Sequence, residues 1–200
     1  FQNSAASGVW DLSEQYDLRR GGNWPETGAS LQRALFGPRN ASPRTAVDQV
    51  DISTLGNGTD FGGVTTHDNG GGVGFGSDTR CIFTGGAGNS NIIQFATFEN
   101  TIDYITIAST GDATDFGDLT TGTENIGGGF ASSTRGIIAS GYNLGSVRNT
   151  IEYVTIGSTG NATDFGDLTV ARQYVGGLAS ATRGVTSAGE LSNGNTSDVM

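Results

Sequence analysis

The chain has 200 residues, 34 of them glycine, with only 34% hydrophobic residues and a formal charge of -10. A glycine inside a helix costs about 1 kcal/mol relative to alanine, so this composition argues for tight turns between short strands. Every basic residue is arginine, which excludes a lysine-dependent phosphate loop or Schiff base, and so acidic a surface repels phosphate backbones and anionic lipid. Neither nucleic acid nor membrane insertion is therefore expected, and no apolar run approaches the length of a membrane span. A single cysteine, Cys81, allows no intrachain disulfide.

The first 43 residues hold all three prolines and both tryptophans, Trp10 and Trp24, which sets this stretch apart from the rest. Asp11 and Glu14 have the spacing of a capping box, and Gly21-Gly22 supplies a stop, so a short helix is expected over Leu12 to Arg20. One helix with two tryptophans cannot form its own core. Residues 1–32 are therefore expected to be a docking segment that uses Trp10 and Trp24 against another surface.

From Arg33 onward the chain repeats itself. The tetrad Thr-Asp-Phe-Gly begins at Thr59, Thr114 and Thr163, and a Thr-Arg pair ends at Arg80, Arg135 and Arg183. These spacings of about 49–55 residues define units at 33–79, 80–134 and 135–182, with a partial fourth at 183–200. Three strands are expected in each unit. The first follows Thr-Arg, as in Gly136 to Ala139. The second is the alternating run Ile102 to Ile107, copied at Ile151 to Ile156. The third is the glycine-rich run before Thr-Arg, such as Val175 to Ala179. A weaker fourth is expected after the tetrad, at Leu119-Thr120 and Leu168 to Ala171. Short strands at this period predict an all-β fold of propeller blades. Three units and a fragment fall short of the four or more blades of a closed ring, so further sequence or another chain is expected to complete it.

The repeated residues read as scaffold. In the tetrads, Asp60, Asp115 and Asp164 can tie turns; Phe61, Phe116 and Phe165 can anchor adjacent sheets. Each Asp precedes Arg80, Arg135 or Arg183 by 19 or 20 residues, which suggests one Asp–Arg contact per unit. Runs such as Gly111-Asp-Ala-Thr-Asp-Phe-Gly-Asp118 offer oxygen ligands, but not at the alternating spacing of an EF-hand loop, and tied turns are the simpler reading. No metal and no cofactor is expected.

No catalytic residue stands out. The only histidine, His67, lies in a polar stretch and reads as a loop residue; Cys81 stands where other units have Gly136 and Gly184 and reads as a small buried strand residue. The unrepeated positions are better candidates for surface binding: Gln94 and Phe95 in an insertion, Tyr142, Arg148, Arg172 and Tyr174.

Units of the form Thr150-Ile-Glu-Tyr-Val-Thr-Ile-Gly-Ser-Thr-Gly-Asn-Ala-Thr-Asp-Phe-Gly-Asp-Leu168, followed by Ser-x-Thr-Arg-Gly, resemble the kelch-like repeats of structural proteins of marine tailed phages, especially those of cyanobacteria. Ser7 to Pro25 resembles the tryptophan-paired segment of such virion proteins. The resemblance implies a non-enzymatic virion component of the tail or a fibre, a kelch-like β-propeller contacting the host surface. Its partners would be other virion proteins or sister chains, and a host glycan or protein. A bacterial secreted or cell-surface adhesion propeller is the alternative, and a glycan-cleaving propeller enzyme a more distant one.

Overall fold

A computed structural model describes residues 33–37, 46–64, 72–86, 98–124 and 126–196, all within one compact unit that begins at Arg33. The expected helix over Leu12 to Arg20, Trp10, Trp24, His67, Gln94 and Phe95 lie outside the described residues. Among the described residues there is no helix: the fold is all-β.

Among the described residues thirteen strands run β1 (Arg33–Phe36), β2 (Ala46–Asp51), β3 (Thr59–Gly63), β4 (Val73–Gly76), β5 (Arg80–Thr84), β6 (Thr101–Thr106), β7 (Thr114–Asp118), β8 (Gly128–Ala131), β9 (Arg135–Asn143), β10 (Ser146–Thr155), β11 (Thr163–Asp167), β12 (Gly176–Ala179) and β13 (Gly184–Ser187). They form four separate antiparallel sheets, ordered β1-β2-β3, β4-β5-β6-β7, β8-β9-β10-β11 and β12-β13, and none of them closes on itself. Sheet neighbours follow chain order, so each sheet is a meander, and the short glycine-rich strands β4, β8 and β12 lie side by side across the sheet boundaries.

The turn into each second strand is built the same way. Ser77, Ser132 and Ser180 each donate a backbone N–H to the carbonyl of the arginine three residues on, at 2.9, 2.9 and 2.8 Å. Each serine Oγ in turn accepts from the N–H groups two and three residues on, as Ser132 does from Thr134 and Arg135 at 3.3 and 3.1 Å. A serine closing its own turn competes well with longer-range pairing, which fixes the hairpin locally.

The tetrads correct the sequence reading. Thr-Asp-Phe-Gly is not a tied turn before a fourth strand; it is the fourth strand, β3, β7 and β11. The ladder pairs Ile102 with Gly117 and Asp103 with Asp115, so Phe116 is the extra residue of a β-bulge. The same irregularity recurs in the first and third sheets. A bulge re-aims a side chain, and here it turns Phe61 and Phe116 into the core, 2% and 3% exposed. The glycine that follows has φ of 147° at Gly117, and a Cβ there would lie 2.6 Å from the Gly160 carbonyl group of the next unit, so both backbone and neighbour demand glycine.

That close approach is the seam between sheets. Gly111 and Ala113 N–H groups donate to the Phe61 and Gly63 carbonyls at 2.9 and 2.7 Å; Gly160 and Ala162 do the same to Phe116 and Asp118 at 2.7 and 2.8 Å. Side chains repeat the link in reverse: the Gly63 N–H donates to Asp112 Oδ1 at 3.0 Å and the Asp118 N–H to Asn161 Oδ1 at 3.1 Å. The fourth strands β3 and β7 are thus covered at their outer edge by the loop that precedes the fourth strand of the next sheet, whereas among the described residues no loop bonds to Phe165 or Asp167 of β11.

The cores follow these seams. Val47, Phe61, Val64 and, partly buried, Leu35 face Phe83, Ile105 and Ala113 between the first two sheets. Ile82, Ile102, Phe116 and Leu119 face Ile138, Val154, Ile156 and Ala162 between the second and third. β6 departs from a simple one-face-buried pattern, with Ile102, Asp103 and Ile105 all buried, whereas in β10 only the alternating Glu152 and Val154 are buried. The buried acid is matched by Glu152, whose carboxylate accepts from both the N–H and the hydroxyl of Thr120 in the preceding unit.

Candidate binding face

The repeated arginines do not meet the tetrad aspartates; among the described residues no Asp–Arg ion pair joins them. Three of them, Arg33, Arg80 and Arg135, lie instead over an aromatic ring of their own sheet. Arg80 is 4.5 Å from the Tyr104 centroid, Arg135 is 4.5 Å from Tyr153, and Arg33 is 5.7 Å from Phe61. Arg33 and Arg80 then reach into the following sheet, each donating from Nη1 to a strand-end carbonyl, Ile107 at 2.9 Å and Ile156 at 2.8 Å. The tyrosines continue the stack edge-on to Phe116 and Phe165. The physical reason is the turn: it places arginine at the start of the second strand, beside the third strand's tyrosine, whereas the aspartate lies on the exposed side of the fourth strand. Asp164 serves its own strand, accepting from the Gly166 N–H at 3.1 Å. Arg183 is exposed.

In an antiparallel meander successive connections alternate between two ends. The Ser-x-Thr-Arg turns and the Gly-[Asp/Asn]-Ala-Thr loops share one end and are copied from unit to unit. The unrepeated segments therefore gather at the other end, where loops on a rigid scaffold can vary freely. That second end is braced by backbone pairs: Glu124 with Tyr142 in both directions, at 3.0 and 2.8 Å, and Gln173 with Glu190 likewise, at 2.9 and 2.8 Å. Each pair is preceded by two successive positive-φ residues, Ser140-Gly141 within β9 (φ 71° and 128°) and Ala188-Gly189 just after β13 (φ 56° and 107°), as Gly85-Gly86 follow β5.

Among the described residues one hairpin projects on this braced end. β9 and β10 run nine and ten residues, against five and six for β5 and β6, and turn at Leu144-Gly145. Leu144 is 81% exposed. Beside it the half-buried Tyr142 packs on Phe98, ring centroids 6.1 Å apart, and Asn143 Nδ2 donates to the Gly122 carbonyl. Arg148 is half-buried, its guanidinium donating to the Thr150 hydroxyl at 3.2 Å. Tyr174 is 55% exposed and held at φ 55°, uncommon for an aromatic residue.

Arg172 does not belong to this surface. It is 2% exposed; its N–H donates to the Arg148 carbonyl and its own carbonyl accepts from Gly141, while Nη2 lies 3.5 Å from the Thr186 hydroxyl. It is an internal strut between the third and fourth sheets. Of the residues expected to bind, the structure brings Tyr142, Arg148 and Tyr174 to one end of the sheets. Sequence reasoning passed over Glu124, whose carboxyl burial holds above the ordinary carboxylate value. It also passed over the buried acids Asp103 and Glu152, although an acid in the same place of Ile-Asp-Tyr and Ile-Glu-Tyr was a usable signal.

Chemically, exposed aromatic and aliphatic side chains beside amide and guanidinium groups suit contact rather than bond-making. Among the described residues no cluster of three His, Cys, Asp or Glu could hold a metal ion. Burial pushes the Cys81 thiol up to about 12, far from the range of a nucleophilic thiolate. No helix among the described residues is long and apolar enough to cross a membrane. No protein-family model matches this chain, and no curated protein matches it.

Proposed function

We propose that this chain is a non-enzymatic structural protein of a tailed phage particle, a kelch-like β-propeller of the tail or a fibre whose loop end contacts the host surface. The observation that carries this reading is the division of the molecule. One end holds copied turns and seams, and the other holds the projecting Leu144 hairpin, Tyr142 and Tyr174. Four-stranded meanders packed face to face, with the short strands β4, β8 and β12 side by side, support the reading as propeller blades. The paired positive-φ residues after β5, within β9 and after β13 support the likeness to the double glycine of kelch-like units, with Ser140 and Ala188 standing at the first place of the pair. The resemblance of the repeats supplies the virion setting, and the acidic charge disfavours nucleic acid as the partner.

Two measurements test the reading. Mass spectrometry of purified particles is expected to contain this chain. Fluorescently labelled protein is expected to bind marine cyanobacterial cells, with Leu144→Asp and Tyr174→Ala weakening binding together by at least about tenfold, the loss of hot-spot contacts. Absence from particles overturns the virion assignment. Presence in particles with adsorption unchanged by both substitutions overturns the host-contact role and leaves a purely structural one.

A further inference from the structure

Two large apolar side chains on the braced end stand where the backbone makes them costly. Leu144 and Tyr174 have φ of 46° and 55°, and they are 81% and 55% exposed. Glycine or asparagine takes such a conformation with less strain. At the corresponding place of the second unit, after Glu124, the residue is Asn125. The chain around Tyr174 leaves it no room to relax. Arg172 has both main-chain groups bonded to the β9–β10 hairpin, Gln173 has both bonded to Glu190, and Val175 is buried. A Cβ on Gly127 would lie 2.9 Å from the Tyr174 carbonyl carbon, so only glycine there admits this backbone. The fold therefore carries backbone strain at a side chain that is more than half exposed and adds little to the core. Strain kept without a packing gain points to function.

The surroundings specify what such a ring would meet. The exposed carboxylates Asp51, Asp60, Asp78, Asp112, Asp115 and Asp164 lie at the copied turns or on the fourth strands beside them. The turns of the braced end carry no charge: Thr120-Thr-Gly-Thr123, Tyr142-Asn-Leu-Gly-Ser146 and Leu191-Ser-Asn-Gly-Asn195. The arginines of this end are held inward, Arg172 buried and Arg148 half-buried on the Thr150 hydroxyl, so neither presents an open cation to an anion. Tyr, Ser, Gly and Asn are the set that adaptable binding loops use, a rigid ring for area and small polar groups for hydrogen bonds. Among the described residues the exposed large apolar side chains of this end are Leu144, Val170 and Tyr174, too few for the apolar core of a standard protein–protein interface.

We infer that the braced end binds a neutral saccharide. Tyr174 stacks on the C–H face of a pyranose ring, and the amides and hydroxyls of the uncharged turns exchange hydrogen bonds with the sugar hydroxyls. This specificity rests on the host-contact reading and names an uncharged sugar, not a protein or an anionic glycan, as what is touched.

The test probes an array of immobilised neutral, carboxylated and sulfated oligosaccharides with the labelled whole chain. Saturable binding confined to neutral members is expected. Tyr174→Asn, which installs the second unit's residue, is expected to weaken binding at least about tenfold while the melting temperature holds or rises, because the backbone strain is relieved. Tyr174→Phe, which keeps the ring, is expected to recover most of the binding. A purely structural tyrosine would instead lower the melting temperature when replaced by asparagine. An array without saturable binding overturns the inference, as does equal binding of sulfated members or binding that Tyr174→Asn leaves unchanged. A second arm separates this from the host-contact reading: labelled protein is added to cyanobacterial cells treated with periodate, which cleaves sugar diols, or with protease. Cell binding that survives periodate but not protease, with a silent array, overturns the saccharide and leaves host contact standing. Array binding without cell binding overturns host contact and leaves the saccharide.

Discussion

At the scale of single residues, Cys81 shows how a position can be chemically silent by construction. It lies within β5 with its thiol raised to about 12 from a usual 9.0, chiefly by burial. A thiol that stays protonated in the native state and ionises in the unfolded one loses its stabilising effect as pH rises. From pH 9.0 to about 12 the unfolded chain binds fewer protons, so stability falls by up to about 1.4 kcal/mol per pH unit. Urea denaturation through that interval is expected to show this slope in wild type and to lose it in Cys81→Ala, the difference cancelling the tyrosines. The sequence did reveal Cys81 as a packed strand residue, because it stands where other units carry glycine. It did not reveal the partners of the arginines. An Asp-to-Arg spacing of 19 or 20 residues shows only that both residues recur, and the tyrosine recurs as well at Tyr104 and Tyr153, with Gln49 in its place in the first sheet. Nor did it separate Arg172 from Tyr174: two residues apart in an unrepeated stretch, one is a buried strut and the other is exposed.

At the scale of elements, the inner strands pack through a knob and a flat spot. Phe75 of β4 lies on Gly136 of β9, and Phe130 of β8 lies on Gly184 of β13; a Cβ on either glycine would overlap the ring. Gly136→Ala is expected to destabilise by about 1–3 kcal/mol through overpacking, and Phe75→Leu in the same chain to recover part of that loss, a coupling that chemical denaturation of the double-mutant cycle measures. Equal, additive losses would show that the two side chains do not meet. Three of the four strands per unit were legible from alternating Ile, Tyr and Thr and from the glycine-rich runs. The fourth was misplaced by a few residues because its glycine and aspartates read as turn chemistry. In fact the glycine serves a bulge, a local break in pairing that propensity does not register. The extra length of β9 and β10 was also hidden, since Ser146 to Asn149 carries no strong strand signal of its own.

At the scale of the whole molecule, each sheet touches mainly its neighbours, so stability is a sum of sheets and seams. The boundaries closed by a loop should then resist opening more than the one at β11. Hydrogen exchange is expected to be slowest in β6, β7 and β9, which lie at or next to closed seams, and fastest in β12 and β13, of which Leu178 is 80% and Val185 48% exposed. Uniform protection across all four sheets would mean that the array opens as one body. The repeat period was the clearest signal in the sequence, and the second and third sheets each join the strand before a Thr-Arg turn to the three strands that follow it. What the period could not convey is how consecutive units interlock, since the bonds that do so join backbone groups that any sequence possesses.

The direction of that interlock bears on synthesis. The loop that shields β3 lies about one unit further along, the Gly63 N–H and its Asp112 acceptor being 49 residues apart. A ribosome adding about 5–20 residues per second leaves Phe61 and its strand bare for roughly 2 to 10 s before the shielding segment has been made. Every nascent sheet passes through such an interval, during which two neighbouring polysomal chains could pair with each other instead, and chaperone occupancy during translation should rise and fall with the period of the repeat.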